Sequence, residues 1–339
     1  MTTPLRLVYA VAVLGLTVAP VSGCGVSAQT TTFAAVGTID GPAELVRAQG
    51  KYVYVVADKT LRIFDASNPS APQRVGTHTF PEHIRALTVS GAFIYAAADF
   101  YGLRIVDVSS AEHPVERGSL PMRGGILTLA MAEKSVLVTT NLVEGVQIVD
   151  VSKSAAPVLL TSYFTDGYAQ AAATSGSLAY VTDSPIGLYI IDLSDASSPT
   201  VMSTLALTVK RMGSGDMPAV PSPLVAIAAP EAASAARTAV VLDKTTGLVE
   251  LLDVTNPRSA AKIGRVSANG RTQCLAVRRS WAYVCGQGGV QVVDLSNRSN
   301  PAPAGSFKTN HPTLDVAVAD GLVLAALGQG GVVMFRQSP

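Results

Sequence analysis

The sequence predicts an all-β fold, a seven-bladed β-propeller with four-stranded antiparallel blades, in which an N-terminal strand completes the last blade. Three observations support it: a phrase that recurs about every 42 residues, short aliphatic runs between turn residues, and an opening phrase that matches the end of other repeats. The chain has 339 residues, 48% hydrophobic and 14% charged, so it can bury a large core. Its net charge of +1 lacks the basic excess typical of nucleic-acid binding.

The recurring phrase is apolar and ends in an aspartate, as in GLRIVDVSS from Gly102. The aspartates are Asp65, Asp107, Asp150, Asp192, Asp253 and Asp294, with spacings of 42, 43, 42, 61 and 41. GVVMFR from Gly331 places Arg336 at the seventh position, 42 residues after Asp294. The chain therefore contains seven units, and a period of this length is typical of propellers and solenoids.

Each unit has the same internal order, which residues 84–120 illustrate: IRALTVSG, AFIYAAADFY, GLRIVDVSS and AEHPVERGSL. Short runs rich in Val, Ile, Leu and Tyr, bounded by Gly, Asp, Ser and Pro, predict strands. Several runs are apolar at consecutive positions, as in sheets that are covered on both faces. Four strands in each of seven units favour a propeller.

The two ends of the repeat region complement each other. FAAVGT at residues 33–38 matches the fourth strand of other units, such as PQRVGT at residues 72–77, whereas unit seven stops after its third strand. The opening phrase should therefore complete the last blade and limit the exposed strand edges. The propeller is expected to occupy residues 33–339.

The repeated phrase, [GL]-x-x-[IV]-[VI]-D-[VL]-S with a downstream proline, resembles the LVIVD repeat of bacterial and archaeal surface propellers. The resemblance covers residues 33–339, nearly all of the chain after the leader. It implies an exported, often cell-surface, protein with a binding or scaffolding role. Unit five departs from the pattern with Thr255 and with Ala260 in place of the proline, and unit seven departs with Arg336.

The first residues differ from the repeats. Arg6 precedes an apolar run at residues 7–18, which is typical of an export signal and too short to span a bilayer as a helix. The segment ending at Cys24 resembles a bacterial lipobox, which implies a signal peptide at 1–23, acylation of Cys24 and a linker at 24–32. The alternative is an ordinary cleavage site with an incidental cysteine. Gly25 lacks the aspartate linked to inner-membrane retention, which favours the outer membrane or cell surface.

Cys274 and Cys285 are the two cysteines that remain, on predicted strands joined by a turn near Arg279 and Ser280. An exported chain matures in an oxidising compartment, so this pair is a candidate disulfide. The alternative is two small buried thiols.

The recurrent aspartate is predicted to be structural. A serine or threonine follows two residues later in six units, and a proline follows seven residues later in five. Asp and Ser side chains bind nearby backbone amides and so organise turns. A turn is needed once in each blade, whereas a catalytic group would normally be unique.

Function on a propeller usually lies in loops that a rigid scaffold positions. The connectors between blades and the loops between second and third strands should open on one face. The candidates for ligand binding on that face are His83, Tyr101, Arg123, Glu144, Tyr168, Asp183, Lys244, Arg271 and His311.

We expect a non-enzymatic module that binds a protein, peptide or glycan, attached to the membrane through its N-terminal lipid. The sequence contains no Ser-His-Asp order, paired catalytic carboxylate motif or H-E-x-x-H motif. No cofactor is predicted, and the histidines lack the spacing of a metal site. The alternative is an envelope enzyme, a hydrolase or lyase, with its site at the channel mouth on the connector face.

Unit five contains the largest departure from the period, with 61 residues where 42 are usual, or 19 extra residues. They fall at 209–223, before the first strand, and at 229–237, between the first two strands. Their Gly, Pro, Ser and Ala content favours surface loops, and the alternative is a lid or a partner contact.

Overall fold

A computed structural model describes residues 33–141, 143–184, 186–207, 237–268 and 270–337. They form an all-β, seven-bladed propeller, with two single turns of 3₁₀-helix at Asp99–Tyr101 and Glu133–Ser135. The predicted leader and linker at 1–32 lie outside the described residues. So do the insertion at 209–223 and that at 229–237, except for its last residue, Arg237.

The strands are short, with four to eight residues each. The first seventeen are β1 (Phe33–Ile39), β2 (Leu45–Gln49), β3 (Tyr52–Ala57), β4 (Thr60–Asp65), β5 (Gln73–Thr79), β6 (Ile84–Ser90), β7 (Phe93–Ala98), β8 (Gly102–Asp107), β9 (Val115–Leu120), β10 (Thr128–Met131), β11 (Val136–Asn141), β12 (Gly145–Asp150), β13 (Val158–Tyr163), β14 (Tyr168–Ser175), β15 (Leu178–Ser184), β16 (Gly187–Asp192) and β17 (Thr200–Leu205). The others are β18 (Thr238–Asp243), β19 (Leu248–Asp253), β20 (Ala261–Ser267), β21 (Thr272–Arg278), β22 (Trp281–Gly286), β23 (Gly289–Asp294), β24 (Ala302–Phe307), β25 (Asp315–Ala319), β26 (Leu322–Ala326) and β27 (Val332–Gln337).

Each blade is an antiparallel sheet in which consecutive strands are neighbours. Blades 1 to 4 are β2–β5, β6–β9, β10–β13 and β14–β17, blade 5 is β18–β20, blade 6 is β21–β24, and blade 7 is β25–β27 with β1. The first strands of neighbouring blades contact one another around the central channel, as β2 does with β6 and β25. Blade 5 has three described strands, because its predicted first strand lies between the two insertions.

The ring closes through β1, as the sequence predicts. This strand pairs antiparallel with β27, Phe33 opposite Gln337 and Ile39 opposite Val332. The prediction that an N-terminal strand completes the last blade is therefore confirmed.

The hydrophobic core is divided into seven clusters, each of which lies between two neighbouring blades. Val46 of blade 1 packs with Leu324 and Met334 of blade 7, for example. The middle strands of a blade are covered on both faces, so β15 is buried at every position. This explains why their sequences are apolar at consecutive positions. Each fully buried aliphatic side chain contributes roughly 1.5–3 kcal/mol.

The six recurrent aspartates lie at the turn between the third and fourth strands. Each carboxylate accepts a hydrogen bond from the backbone amide two residues later, at 2.8–2.9 Å. Hydrogen bonds from Lys51 and Ser67 lower the pKa of Asp65 to about 2. Ser109 and Arg117 lower the pKa of Asp107 in the same way. The carboxylate thus fixes the turn in its ionised form.

At five junctions between blades of the described structure, the same turn also contacts the fourth strand of the preceding blade. A β-carbon on Gly76, in the fourth strand of blade 1, would lie 1.9 Å from the Ala111 carbonyl oxygen in the turn of blade 2. Gly118 is covered in the same way by the Ser154 oxygen, at 2.3 Å. These glycines follow the aspartate of their own blade by eleven residues.

Blade 4 carries Ser203 at the position of these glycines. Its hydroxyl donates to the Pro257 carbonyl oxygen of blade 5 at 2.6 Å. Close backbone packing or a side-chain hydrogen bond at this position joins Gly37 with Pro69, Gly76 with Ala111, Gly118 with Ser154, and Ser203 with Pro257. Gly264 makes the equivalent contact with Arg298. We call this contact the blade latch.

Candidate binding face

The propeller has two faces with different loops. Because the strands alternate in direction, the connectors between blades open on the same side as the loops between second and third strands. We call this side the connector face. The opposite side, which holds the aspartate turns, is the turn face.

Large apolar side chains are exposed on three successive blades of the connector face. Phe100 and Tyr101 lie on the 3₁₀ turn of blade 2, and their exposed fractions are 70% and 59%. Val143 of blade 3 is 66% exposed, and Phe164 and Tyr168, between blades 3 and 4, are 64% and 47% exposed. We call these five residues the aromatic stripe.

The loops that carry the stripe adjoin one another. A β-carbon on Gly125 would lie 3.5 Å from the Phe100 ring, and one on Gly124 would lie 3.1 Å from the Val143 β-carbon. The next loop follows directly, since a β-carbon on Gly145 would lie 3.1 Å from the Phe164 α-carbon. The loops that carry the exposed residues therefore lie side by side.

Hydrogen bonds hold two of these loops in place. The Asn141 side chain, at the end of β11, accepts the amides of Val143 and Glu144 at 2.7 and 3.1 Å. The Tyr189 hydroxyl of β16 donates to the Asp166 carboxylate at 3.0 Å. Glu144, a predicted binding residue, is half-buried. The stripe is thus presented on fixed backbone.

A groove of about 580 Å³ lies at the blade 2 end of the stripe. Its lining is formed by Phe100, Tyr101, Arg104, Ser119, Pro121, Met122 and Arg123. Arg104 is an ion-pair partner of Glu82, at 3.0 Å, and of Glu116, at 3.2 Å. The exposed guanidinium of Arg123 has no acidic partner within the described part of the chain.

The predicted histidines occupy separate surroundings. His83 Nε2 lies 3.3 Å from the Glu44 carboxylate. His311 is exposed, and its ring would lie 2.5 Å from a β-carbon on Gly330. Arg271 is exposed before β21. Within the described ranges, no group of three or more His, Cys, Asp or Glu residues could hold a metal ion.

Charged side chains also converge on the connector side of blades 5, 7 and 1. Asp315, at the start of β25, accepts hydrogen bonds from the Val46 amide at 2.9 Å and from Arg47 at 2.5 Å. Burial lowers the pKa of Lys244, while Asp315 opposes that shift. The Thr272 hydroxyl donates to the Lys244 carbonyl oxygen at 3.2 Å. The carboxylate is thus occupied by bonds that join β25 to β2.

Asp183 is not available to a ligand, which corrects the prediction that it contributes to a binding surface. Its exposed fraction is 1%. Burial raises the pKa of this carboxyl, and neither oxygen completes a hydrogen bond within the described residues. The Thr165 hydroxyl and the Gly167 and Ile186 amides face it.

The neighbouring blades explain the unusual state of Asp183. Asn141 and Asp243 occupy the same position, and each accepts the backbone amide two residues later, at 2.7 and 2.8 Å. Two residues after Asp183 the sequence has Pro185, which has no amide hydrogen. Asp183 therefore occupies the position of Asn141 and Asp243 but lacks the backbone amide that donates a hydrogen bond to each of those side chains.

Cys274 and Cys285 are opposite each other in β21 and β22 and are joined by a disulfide, with an α-carbon separation of 5.1 Å. They lie inside blade 6, away from the stripe.

The described residues include no helix with the length and hydrophobicity that a bilayer crossing requires.

Sequence reasoning found part of the stripe and missed part of it. Tyr101, Arg123 and Tyr168 are among the predicted residues, whereas Phe100, Val143 and Phe164 are not. The available signal was an apolar residue at a loop position, but the stripe becomes visible only when the loops of three blades are placed side by side.

Comparisons with known proteins agree with this architecture. The LVIVD repeat family matches residues 40–79, 83–121, 143–165, 166–206 and 269–309, which together exceed half of the chain. The β-propeller domain of Cps50 (Swd1) from Myceliophteria thermophila has a TM-score of 0.73 at 11% identity, over 91% of this chain and 100% of that one. The WD40 β-propeller domain of Doa1 has a TM-score of 0.65 at 12% identity, over 91% and 98%. No curated protein matches the sequence. At these identities the structural likeness concerns the fold alone.

Proposed function

Since the chain belongs to the LVIVD repeat family, we propose that it is a lipid-anchored propeller of the cell envelope that binds a polypeptide partner on its connector face without catalysing a reaction. The family and the fold are consistent with a binding or scaffolding module. The partner class, the lipid anchor and the location are parts of the proposal.

The observation that carries the proposal is the aromatic stripe. Soluble proteins rarely leave several large apolar residues exposed on neighbouring loops unless these residues contact a partner. Phe100, Tyr101 and Tyr168 belong to the residue types that are enriched in protein interfaces. Val143 and Phe164 add apolar surface on the next loops, where a polypeptide can place further apolar side chains. The stripe therefore favours a polypeptide.

The position of β1 supports an orientation on the membrane. The strand begins at Phe33 at the turn-face end of blade 7, because it runs antiparallel to β27 and towards the first connector. The nine residues 24–32 can span at most about 30 Å when extended. A lipid on Cys24 would therefore hold the turn face towards the membrane and leave the connector face directed away from it.

A site-specific cross-linker tests the partner. A photoreactive phenylalanine analogue is introduced at Val143 in the stripe or, as control, at Val158, which is exposed on the outer strand β13. We expect a defined adduct from Val143 after irradiation of cells, and we expect Phe100→Ser together with Phe164→Ser to abolish it. Equal adducts from both positions, or an adduct that survives the double substitution, would contradict the proposed face.

The anchor has a separate test. Cys24→Ser should move the protein from the membrane to the soluble fraction, and mass spectrometry of the mature N-terminal peptide should show acyl chains on Cys24 in the unchanged chain. A membrane-bound Cys24→Ser protein would refute lipid anchoring and leave the binding face untouched.

A further inference from the structure

The groove at the end of the aromatic stripe carries an inference that rests on the proposed function and refines it. We propose that this groove recognises a polypeptide segment in which a large apolar side chain, preferably aromatic, lies next to a carboxylate. The apolar side chain would enter between Phe100, Tyr101 and Met122, and the carboxylate would bind Arg123.

The groove has the surface that an apolar side chain requires. The exposed rings of Phe100 and Tyr101 line it together with Pro121 and Met122. Methionine is flexible and polarisable, so it adapts to rings of different shape. Aromatic pairs gain further from offset or edge-to-face geometry. The volume of about 580 Å³ accommodates one large side chain with its backbone.

The charges of the groove favour a carboxylate next to the apolar side chain of the ligand. Arg104 lies between Glu82 and Glu116, which compensate its charge. Arg123 is exposed on the same lining, and its charge is not compensated within the described residues. The groove therefore has one unused cation beside an apolar surface. A guanidinium binds a carboxylate with two parallel hydrogen bonds, which a neutral amide cannot match.

The continuation of the stripe favours a chain molecule over a small anion. Beyond the groove the stripe includes Val143, Phe164 and Tyr168. An isolated organic acid would fill the groove and leave these residues bare. An extended segment could place one side chain in the groove and lay further apolar side chains along the stripe.

Fluorescence anisotropy with four designed peptides tests the inference on the purified full chain in detergent. Each is a fluorescein-labelled, C-terminally amidated 12-mer in a Gly/Ser frame with a central pair of Trp-Asp, Trp-Asn, Ser-Asp or Trp-Lys. We expect Trp-Asp to bind at least about tenfold more tightly than each of the others, a difference of about 1.4 kcal/mol. Arg123→Gln should reduce the affinity for Trp-Asp to that for Trp-Asn and leave the affinity for Trp-Asn unchanged.

The control variant is Arg74→Gln, which removes an exposed arginine of β5 outside the groove. It should retain the preference for Trp-Asp, and both variants should keep the melting temperature of the unchanged chain. Equal affinity for Trp-Asp and Trp-Asn, or a preference that survives Arg123→Gln, would overturn the inference.

Failure of this inference can be distinguished from failure of the proposed function. If the Val143 adduct forms but the peptides show no preference for the acid, the stripe binds a partner by another chemistry. If neither the adduct nor peptide binding is observed, both proposals are wrong.

Discussion

On the turn face, six loops repeat the same hydrogen bond from an aspartate to an amide, whereas the loops of the connector face differ in length and chemistry. The turn loops have two structural roles, because each fixes its own backbone and five of the six also pack against a residue of the preceding blade. The connector loops need only to bridge strands. In this ring of repeats, the loops that share one structure thus stabilise the scaffold. The exposed Phe100 and Phe164 lie in the loops that differ from blade to blade.

The largest effect is expected from adding one methyl group to the blade latch. Gly76→Ala places a β-carbon 1.9 Å from the Ala111 carbonyl oxygen, so backbone must move. We expect a loss of about 3 kcal/mol in the free energy of unfolding, measured by urea denaturation. Gly288→Ala makes the same change on the connector face, where no atom lies within 4 Å, and should be neutral. An equal loss in the free energy of unfolding for Gly76→Ala and Gly288→Ala would show that close packing does not distinguish the turn face from the connector face.

The next effect concerns the aspartate that fixes the turn. Asp107→Ala removes the acceptor for the Ser109 amide and the partner of Arg117, at 2.9 Å each. We expect a loss of about 1–2 kcal/mol with the fold intact. Asp107→Asn keeps an acceptor oxygen and should lose less. If Asp107→Ala abolished partner binding while stability was unchanged, the aspartate would have a functional role instead.

This loss should depend on pH. The folded pKa of Asp107 is lowered, so its contribution is present above the unfolded value of about 3.9 and disappears as the pH falls through the folded value. The thermal midpoints of Asp107→Ala and the unchanged chain should therefore converge in acid.

A smaller effect of the opposite sign is expected for Asp183 on the connector face. Its folded pKa is raised, so its contribution is complete below the unfolded pKa and is lost as the pH rises through the folded value. Asp183→Asn, which copies Asn141 of blade 3, should gain about 1 kcal/mol at pH 7. The gain should vanish near pH 4, which a pH series of thermal midpoints can measure. A gain that is constant with pH would rule out ionisation as its cause.

The smallest effect on stability should come from the stripe itself. Phe164→Ser removes an exposed ring, and the free energy of unfolding should change by less than about 0.5 kcal/mol. Phe80→Ser is the matched control, because Phe80 is 1% exposed inside the cluster between blades 1 and 2, and it should lose at least about 3 kcal/mol. If Phe164→Ser destabilised the chain as strongly, the ring would belong to the core.

The sequence predicted the fold because the residues that recur about every 42 positions have structural roles in the blades. Asp65 and its equivalents mark each turn, and the phrase at residues 33–38 identifies the closing strand. The blade latch was also visible as Gly76 and Gly118, eleven residues after their aspartates. Its structural role could not be predicted, because the carbonyl oxygen that packs against each glycine belongs to another blade.

The binding face was less predictable. Loop position correctly assigned Tyr101 and Tyr168 to the connector face, but it gave no information on burial, so Asp183 was placed there as a ligand contact. Its true state depends on Pro185 and on the packing of Gly167, which no single repeat reveals. Exposure of Phe164 likewise depends on neighbouring loops.

Ring closure through β1 has a consequence for the order of assembly. The first of the described strands along the chain pairs with β27, the last of the described strands. Contacts between such distant segments form slowly, because a long loop must close before they contribute. A chain that stops before Val332 leaves β1 without its partner and blade 7 with an open edge. The ring therefore closes only after β27 has been synthesised, and a product truncated before it would carry an unpaired strand that proteases and chaperones can recognise.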